Sequence, residues 1–305
     1  MTRSSAARTP AAFKRSLKDR LKKESKERGR VFEHLHREFY LQRFLVRVFS
    51  QPGDRWLLKG GASLIVRLPD ARYSRDLDLV HTDADLDDAV AELKTAAGVS
   101  DLDPFRFQVR DEPAEMTGGI AGATLKVDVY LGVEQLYAFP IDLATQLLPI
   151  GPIDYQQPRP VVTMDELAAM PTFALYPLPS QIADKVCAMY GLYGEAKNPS
   201  SRYHDLVDLA FIVSCWSFDA EALGHALAHE AQRRGLTLPR VMSSPDGQWV
   251  AGYAKTARAV PGLPTTAAGL KGALRLVGAA LDPVLSSQNK TGSWDPNAAI
   301  WLARP

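Results

Sequence analysis

The amino-acid sequence predicts an α+β fold, in which a mixed β-sheet with helices is followed by a helical C-terminal portion. Apolar and polar residues alternate in short runs between residues 55 and 142, as in strands with one buried face. A Pro-rich stretch follows at 149–160, and beyond it apolar residues recur at helical spacing. These observations divide the chain into a basic N-terminal arm over 1–30, a mixed core over 31–150 and a helical domain over 151–305.

The composition is typical of a soluble globular protein, with 46% apolar and 23% charged residues among 305. The sequence contains no apolar run of the roughly 20 residues that span a membrane, and the N-terminus lacks the apolar segment of a secretory signal. We therefore expect no membrane association and a cytoplasmic location. Cys187 and Cys215 lie among apolar neighbours, which predicts buried reduced thiols. The six histidines do not cluster, which favours core or surface roles.

The net charge of +1 conceals a strongly basic N-terminus. Residues 1–30 contain eleven Lys or Arg and three acidic residues, a local charge of +8 that leaves −7 for the remainder. Such an arm can neutralise nucleic-acid phosphates, or it can be a solvated and partly disordered tail. The spacing of Phe13, Leu17 and Leu21 predicts that the arm becomes an amphipathic helix.

Each predicted element follows from its own pattern of apolar residues and breakers. Helical spacing predicts helices over 31–49 and 62–68, and an amphipathic segment from Asp85 to Ala97 ends at Gly98. Alternation predicts strands over 55–59, 75–81, Phe105–Val109, Gly122–Leu131 and Ala138–Asp142. Further helices are predicted over 179–190, with Ser180 as its N-cap, and over 203–214, 219–234 and 265–282.

The strongest functional signal is a glycine turn followed by a pair of aspartates. Gly60-Gly61 ends an apolar run and opens a helix, so that backbone N–H groups can approach a phosphate. Asp76 and Asp78 alternate in a predicted strand, which places both carboxylates on one face. Such a pair can bind Mg²⁺, or Mn²⁺, that also contacts substrate phosphates, as nucleotidyl transfer requires. An Asp-x-Asp pair alone is more often a solvated strand end, and here the preceding glycines favour the functional interpretation.

Polar residues near these elements complete a predicted nucleotide-binding site. Lys59 can pair with a phosphate or lie exposed at the strand end. Ser63 can contact a phosphate or cap the helix. Ser74 and Arg75 precede the acids, and Arg75 can balance charge near the nucleotide. A third acid of the metal site can be Asp128 or Asp142, because both lie on predicted strands.

Four sequence blocks in this order resemble the nucleotidyltransferase-like toxins of the AbiEii/AbiGii family, which belong to bacterial type IV toxin–antitoxin and abortive-infection systems. The similarity is greatest to the mycobacterial MenT-type branch and spans roughly residues 30–285. The blocks are Lys59–Leu64, Ser74–Asp78, Gln181–Lys185 and Arg202–Leu209, with a weaker fifth at Pro239–Tyr253.

The resemblance implies a DNA-polymerase-β-like minimal nucleotidyltransferase core with a helical C-terminal portion. By the family pattern Asp76 and Asp78 hold metal, and Lys185 and Asp208 form a second essential pair. Lys185 would bind the triphosphate as a point charge, and Asp208 would orient Lys185 or an attacking hydroxyl. The alternative for this pair is a surface ion pair between neighbouring helices.

The implied activity is transfer of nucleotides from an NTP to RNA, above all to the 3′ acceptor end of tRNA, which would block translation. A protein or small-molecule acceptor, or a non-catalytic role in binding RNA or an antitoxin, are the alternatives. A cognate antitoxin is the implied protein partner.

Three details qualify the match to the family pattern. Fourteen residues separate Gly61 from Asp76, slightly more than is usual. For the third acid, Asp142 fits the MenT-type block better than Asp128. Some relatives are restrained by modification of a serine, and a phosphate on Ser74 would crowd the two acids with like charge.

Overall fold

The computed structural model describes residues 8–68, 74–110, 114–115 and 121–303. These residues form two compact units. The first contains the described residues up to 147 together with 155–175, and the second contains 148–154 together with those from 176 onward. The α+β prediction is confirmed, since a mixed sheet with helices precedes a helical portion.

An eight-stranded sheet forms the centre of the first unit. The strands are β1 Trp56–Lys59, β2 Leu77–His81, β3 Phe105–Val109, β4 Ala114–Glu115, β5 Gly122–Leu131, β6 Glu134–Thr145, β7 Asp154–Gln156 and β8 Phe173–Leu175. The strand order in the sheet is β3-β5-β6-β2-β1-β8-β7, and β4 also pairs with β5. The β2–β6 and β1–β8 pairs are parallel, whereas β1–β2, β3–β5, β4–β5 and β5–β6 are antiparallel.

The two faces of this sheet differ in chemistry. Odd-numbered positions of β3 and β5, together with Phe139, Ile141 and Leu143 of β6, are buried under a layer of helices, as in the edge-to-face contact of Phe44 with Phe139 at 5.7 Å. Even-numbered positions such as Arg106, Gln108 and Lys126 are exposed. The helices of this unit are α1 Pro10–Arg28, α2 Phe32–Phe49, α3 Gly60–Arg67 and α4 Leu86–Ala97.

A buried ionic cluster fixes α2 to the start of β3. The carboxylate of Asp103 accepts hydrogen bonds from Arg43 at 2.8 Å and from two nitrogens of Arg47 at 2.8 and 2.7 Å. It also accepts the backbone N–H of Phe105 at 3.0 Å. Because the remaining guanidinium donors reach backbone carbonyls, the charges are buried with their hydrogen bonds made, the condition under which burial of charge is tolerated.

The N-terminal basic segment is a docked helix, and the alternative of a disordered tail is wrong over residues 10–28. Thr9 caps α1, and Phe13, Leu17 and Leu21 are buried as their spacing predicted. The ring of Phe13 contacts Phe105 at the edge of the sheet at 5.6 Å. The apolar stripe stabilises the helix on the core, and the basic side chains remain on its outer face.

The first unit extends beyond the boundary at residue 150 that the sequence predicted. Phe173–Leu175 returns as β8 and pairs with β1 through Leu58 and Leu175, so residues 155–175 belong with the sheet. The strand predicted at 138–142 is the longer β6. Neither β8 nor the start of β6 shows the alternation of apolar and polar residues that predicts a strand, because β8 is buried throughout and β6 is polar at its start.

The second unit is mainly helical. The segment predicted as one helix over 265–282 is a 3₁₀ turn and then α9, because Gly269 has extended backbone between them. One helix, α8, had not been predicted. The elements are α5 Leu178–Tyr190, α6 Tyr203–Cys215, α7 Ala220–Arg233, α8 Trp249–Arg258, a 3₁₀ turn Thr265–Ala267 and α9 Leu270–Leu285, with short strands β9 Leu192–Tyr193, β10 Asn198–Pro199, β11 Ser293–Asp295 and β12 Ile300–Leu302.

Two smaller predictions about this unit are also corrected. Ser180 is not an N-cap, because Pro177 holds that position and the Ser180 hydroxyl instead donates to the Ile150 carbonyl at 3.1 Å. Cys187 is a buried thiol as expected, whereas Cys215 is exposed at the end of α6. Within the described ranges, no helix combines the length and apolar character needed to cross a membrane.

The packing of α1 on the core predicts that substitutions at two neighbouring residues differ in their effect on the free energy of unfolding. Leu17→Ala should lower the free energy of unfolding by about 2–5 kcal/mol, because it leaves a cavity under the helix. Lys18→Ala, on the exposed face, should change it by less than about 0.5 kcal/mol. Denaturant titration of both variants measures the difference. Equal stability of the two variants would show that α1 is not packed on the core.

Candidate active site

The turn between β1 and α3 is the first component of the site. Gly60 has φ +65°, a left-handed conformation that favours glycine, and Lys59 before it is extended. Ser63 is fully buried, and its hydroxyl donates to the Gly60 carbonyl at 2.9 Å. The suggested capping role of Ser63 is therefore wrong, since Lys59 occupies the N-cap position. Ser63 instead fixes the turn whose backbone N–H groups open α3.

Asp78 packs directly against this turn. In the antiparallel pair of β1 and β2, Asp78 lies opposite Lys59, so both side chains project from the same face of the sheet. A Cβ added to Gly60 would overlap the Asp78 carboxylate. The absence of a side chain at Gly60 is thus what allows the carboxylate to lie beside the opening of α3.

Asp142 lies next to Asp78 on the neighbouring parallel strand. The two residues are register partners, which places their Cα atoms about 4.8 Å apart with side chains on one face. Thr124, opposite Asp142 on β5, donates its hydroxyl to the Asp142 carboxylate at 2.6 Å. This hydrogen bond orients the carboxylate beside Asp78.

Asp128, the other candidate for the third acid, has a different environment. It lies four residues along β5 from Thr124, a separation of about 13 Å. Arg110 donates two hydrogen bonds to its carboxylate, both at 2.8 Å, and Gln135 donates a third at 2.8 Å. The hydrogen bonds from Arg110 hold the pKa of Asp128 below its ordinary value. The geometry therefore favours Asp142 as the partner of Asp78.

Asp76 lies outside the strand in which the sequence placed it. β2 begins at Leu77, where its pairing with β6 begins, so alternation within one strand does not relate Asp76 to Asp78. The hydroxyl of Ser74 donates to the Asp76 carboxylate at 3.1 Å and is itself buried. A phosphate on Ser74 would lie against Asp76, as hypothesised, and this buried turn must open to admit it. Arg75 between them is exposed.

The carboxylates fit a metal ion that also binds substrate. Among the residues that the structure describes, no three His, Cys, Asp or Glu side chains are grouped closely enough to hold a metal by themselves. Mg²⁺, however, is commonly held by one or two carboxylates together with substrate phosphates and water. Asp78 and Asp142 supply two hard oxygen donors side by side, next to a helix N-terminus suited to phosphate.

The second predicted pair forms a buried ionic cluster between α5 and α6. The ammonium of Lys185 donates to Asp208 at 2.5 Å and to Asp205 at 3.2 Å, and Arg202 donates to Asp205 at 2.7 Å. Although burial opposes it, the charges of Lys185 and Arg202 hold the pKa of Asp205 below its ordinary value. The alternative predicted for Lys185 and Asp208 was a surface ion pair. The two residues do form an ion pair, but it is buried.

The weaker fifth block has a packing role next to this cluster. The indole N–H of Trp249 donates to the Ser200 carbonyl at 2.7 Å, and the Trp249 ring contacts Tyr203 at 5.0 Å. A Cβ on Gly252 would overlap the Tyr203 ring, so this helix position also requires glycine. These contacts fix the start of α6, which carries Asp205 and Asp208.

Sequence reasoning missed two residues of these clusters. Arg202 precedes Asp205 by three residues, so helical spacing could have indicated their pairing. Thr124 carries no such local signal, because its contact with Asp142 depends on the register of β5 and β6. The structure brings Asp78 and Asp142 together, and within the second unit it brings Lys185 and Asp208 together.

Comparison with known proteins identifies the class as a nucleotidyltransferase. Residues 43–275 match the family described as nucleotidyl transferase AbiEii toxin, type IV TA system. Because this match covers most of the chain, the protein belongs to the AbiEii family of nucleotidyltransferase toxins, as the sequence blocks predicted. Membership in a type IV toxin–antitoxin family implies an antitoxin partner. No curated protein matches the chain.

The solved structures that the chain resembles are distant in sequence. MenT4, a nucleotidyltransferase toxin from Mycobacterium tuberculosis H37Rv, is 16% identical with a TM-score of 0.52 over 88% of this chain and 98% of that chain. JHP933 from Helicobacter pylori is 13% identical with a TM-score of 0.44 over 84% of this chain and 94% of that chain. At such identity the likeness to MenT4 establishes the fold alone.

The packing of Asp78 on Gly60 predicts a strong effect of one added methyl group. Gly60→Ala should lower the thermal transition, because alanine must adopt φ +65° and also displace the carboxylate. In an Asp78→Ala background the carboxylate is gone and a Cβ contact at 3.1 Å remains, so the same change should cost little more than the backbone term of about 1–2 kcal/mol. Gly247→Ala, where a Cβ meets open space, is the matched control. An equal cost in both backgrounds would contradict this packing.

The buried cluster predicts energetic coupling between α5 and α6. Lys185→Met should destabilise the chain by about 3–5 kcal/mol, because it removes the buried cation that Asp208 and Asp205 share. Lys185→Met combined with Asp208→Leu should cost less than the sum of the single changes, measured by denaturant titration. Lys271→Met, at an exposed position of α9, should have little effect. Additive costs would show that the two residues do not interact.

Proposed function

We propose that this protein is a metal-dependent nucleotidyltransferase that transfers nucleotides from an NTP to RNA, foremost to the 3′ acceptor end of tRNA, and thereby blocks translation. The observation that carries the proposal is the placement of Asp78 and Asp142 side by side next to the Gly60 turn. A paired carboxylate site beside a helix N-terminus is suited to a metal-bound triphosphate.

In this reaction the RNA 3′-hydroxyl forms a bond to the α-phosphorus of the NTP, pyrophosphate leaves, and the hydroxyl proton passes to water. Mg²⁺, or Mn²⁺, would neutralise the charge that develops on the phosphates. Asp78 and Asp142 would hold this ion, with Thr124 fixing the orientation of Asp142. The N–H groups of the Gly60-Gly61 turn and Lys59 would contact the phosphates.

The remaining predicted residues have supporting roles in this proposal. Asp76 would add a carboxylate near the metal, with Ser74 holding its orientation. Arg75 would balance charge near the nucleotide. Lys185 would bind the triphosphate, and Asp208, which accepts a hydrogen bond from Lys185, would orient it.

The basic helix α1 supports RNA as the acceptor. Its outer face carries exposed Lys14, Arg15, Lys18 and Lys22, and such a row can neutralise phosphates. α1 lies in the helical layer, on the face of the sheet opposite to Asp78 and Asp142. It would therefore contact the body of the RNA at a distance from the reacting end. We place this activity, and the antitoxin that restrains it, in the cytoplasm.

The proposal predicts which acids are essential. Purified protein incubated with tRNA, Mg²⁺ and each labelled NTP should extend the RNA, and Asp78→Asn or Asp142→Asn should reduce this at least about a hundredfold with an unchanged thermal transition. Asp128→Asn is the matched control on the same sheet face and should keep activity within a few-fold. Chelation of the metal should abolish extension.

Two outcomes would contradict these assignments. Loss of activity in Asp128→Asn with full activity in Asp142→Asn would reverse the assignment of the third acid. Absence of incorporation into RNA with any NTP, together with labelling of a protein or small molecule, would show that the acceptor belongs to another class.

A further inference from the structure

The exposed half of the sheet next to the acids is polar and basic. Arg106, Gln108 and Lys126 are exposed on β3 and β5, and Tyr130 is half-buried beside them. With Arg110, the described residues of β3 and β5 on this face supply three cationic side chains, and the carboxylate of Asp128 pairs with Arg110. We call the residues Arg106, Gln108, Arg110, Lys126 and Tyr130 the strand platform.

Alternation along the strands connects the strand platform to the proposed active site. Thr124, Lys126 and Tyr130 have even numbers on β5 and therefore project from one face, the face on which Thr124 contacts Asp142. The six residue steps from Thr124 to Tyr130 span about 20 Å. The platform thus lies on the same face of the sheet as Asp142 and extends along β5 toward it.

One pair within the platform has the geometry of a stacking surface. The guanidinium carbon of Arg106 lies 4.1 Å from the centre of the Tyr130 ring, and Gln108 accepts a hydrogen bond from the same guanidinium at 3.0 Å. These contacts hold a planar, exposed cation on the edge strand β3. Proteins that bind single-stranded RNA stack unpaired bases on aromatic rings and on arginine planes.

We propose that the strand platform binds the single-stranded 3′ end of the acceptor RNA and leads it to Asp142. This inference rests on the proposed function and adds the path of the substrate. Arg110 and Lys126 would contact phosphates, and the outer face of Arg106 would stack on a base. Because Phe13 of α1 contacts Phe105 of the same edge strand, the RNA can pass from α1 to the platform around β3.

The test measures RNA binding by the protein in the absence of catalysis. A labelled single-stranded RNA oligonucleotide is titrated with the full chain in the absence of NTP, at several salt concentrations. Arg106→Glu combined with Lys126→Glu should raise Kd at least about tenfold and reduce the salt slope by about 0.7 for each lost phosphate contact. Lys271→Glu, a single charge reversal at an exposed position of α9, should change neither quantity. Arg106→Gln with Lys126→Gln is used if charge reversal lowers the thermal transition.

The outcomes separate this inference from the proposed function. During nucleotide transfer the double variant should raise KM for RNA and leave KM for NTP unchanged. RNA binding through the platform without incorporation of any nucleotide would refute the proposed function and leave the platform in place. Unchanged RNA affinity, or loss of antitoxin binding with RNA binding retained, would overturn the inference.

Discussion

The close approach of the Asp78 carboxylate to Gly60 is the constraint on which the proposed site depends. The Lys59–Asp78 register brings β2 against the end of β1, and the missing side chain at Gly60 leaves room for the carboxylate. Ser63 then binds the Gly60 carbonyl and fixes the left-handed turn. One glycine therefore determines both where α3 begins and where the acid lies, so the turn proposed to bind phosphate and the carboxylate proposed to bind metal are positioned together.

The unequal faces of the sheet explain how acids can be placed there without loss of stability. Phe105, Phe139 and their odd-numbered neighbours bury one face under α1, α2 and α4, and this face supplies the hydrophobic stabilisation. The opposite positions are free to carry Asp78, Asp142 and the strand platform. The charges that the first unit does bury around Asp103 are compensated by two arginines, so this cluster leaves no isolated ion in the part of the core that it occupies.

Local patterns in the sequence predicted most of the helices and strands. They failed where contacts with residues far away in the sequence determine the structure. Phe105–Val109 and Gly122–Leu131 were correct to the residue, because one side of each strand is buried and the alternation is clear. β8 was missed, since Phe173–Leu175 is short, buried throughout and recruited by β1 more than a hundred residues away. The choice between Asp128 and Asp142 likewise depends on strand register and on the position of Arg110, neither of which a single strand reveals.

In the proposed function, binding of the triphosphate and choice of the acceptor depend on different parts of this molecule. The Gly60 turn and the carboxylates would act on the triphosphate, which every nucleotidyltransferase substrate shares, so these residues cannot distinguish one acceptor from another. Discrimination must come from surfaces that the acceptor touches outside the reacting phosphate. In the first unit the described surface that continues from Asp142 is the strand platform, whose charge suits RNA phosphates and whose Arg106–Tyr130 pair suits an unpaired base. Under both proposals the sheet face next to the acids would select the acceptor, whereas α1 would add affinity that is independent of the reacting end.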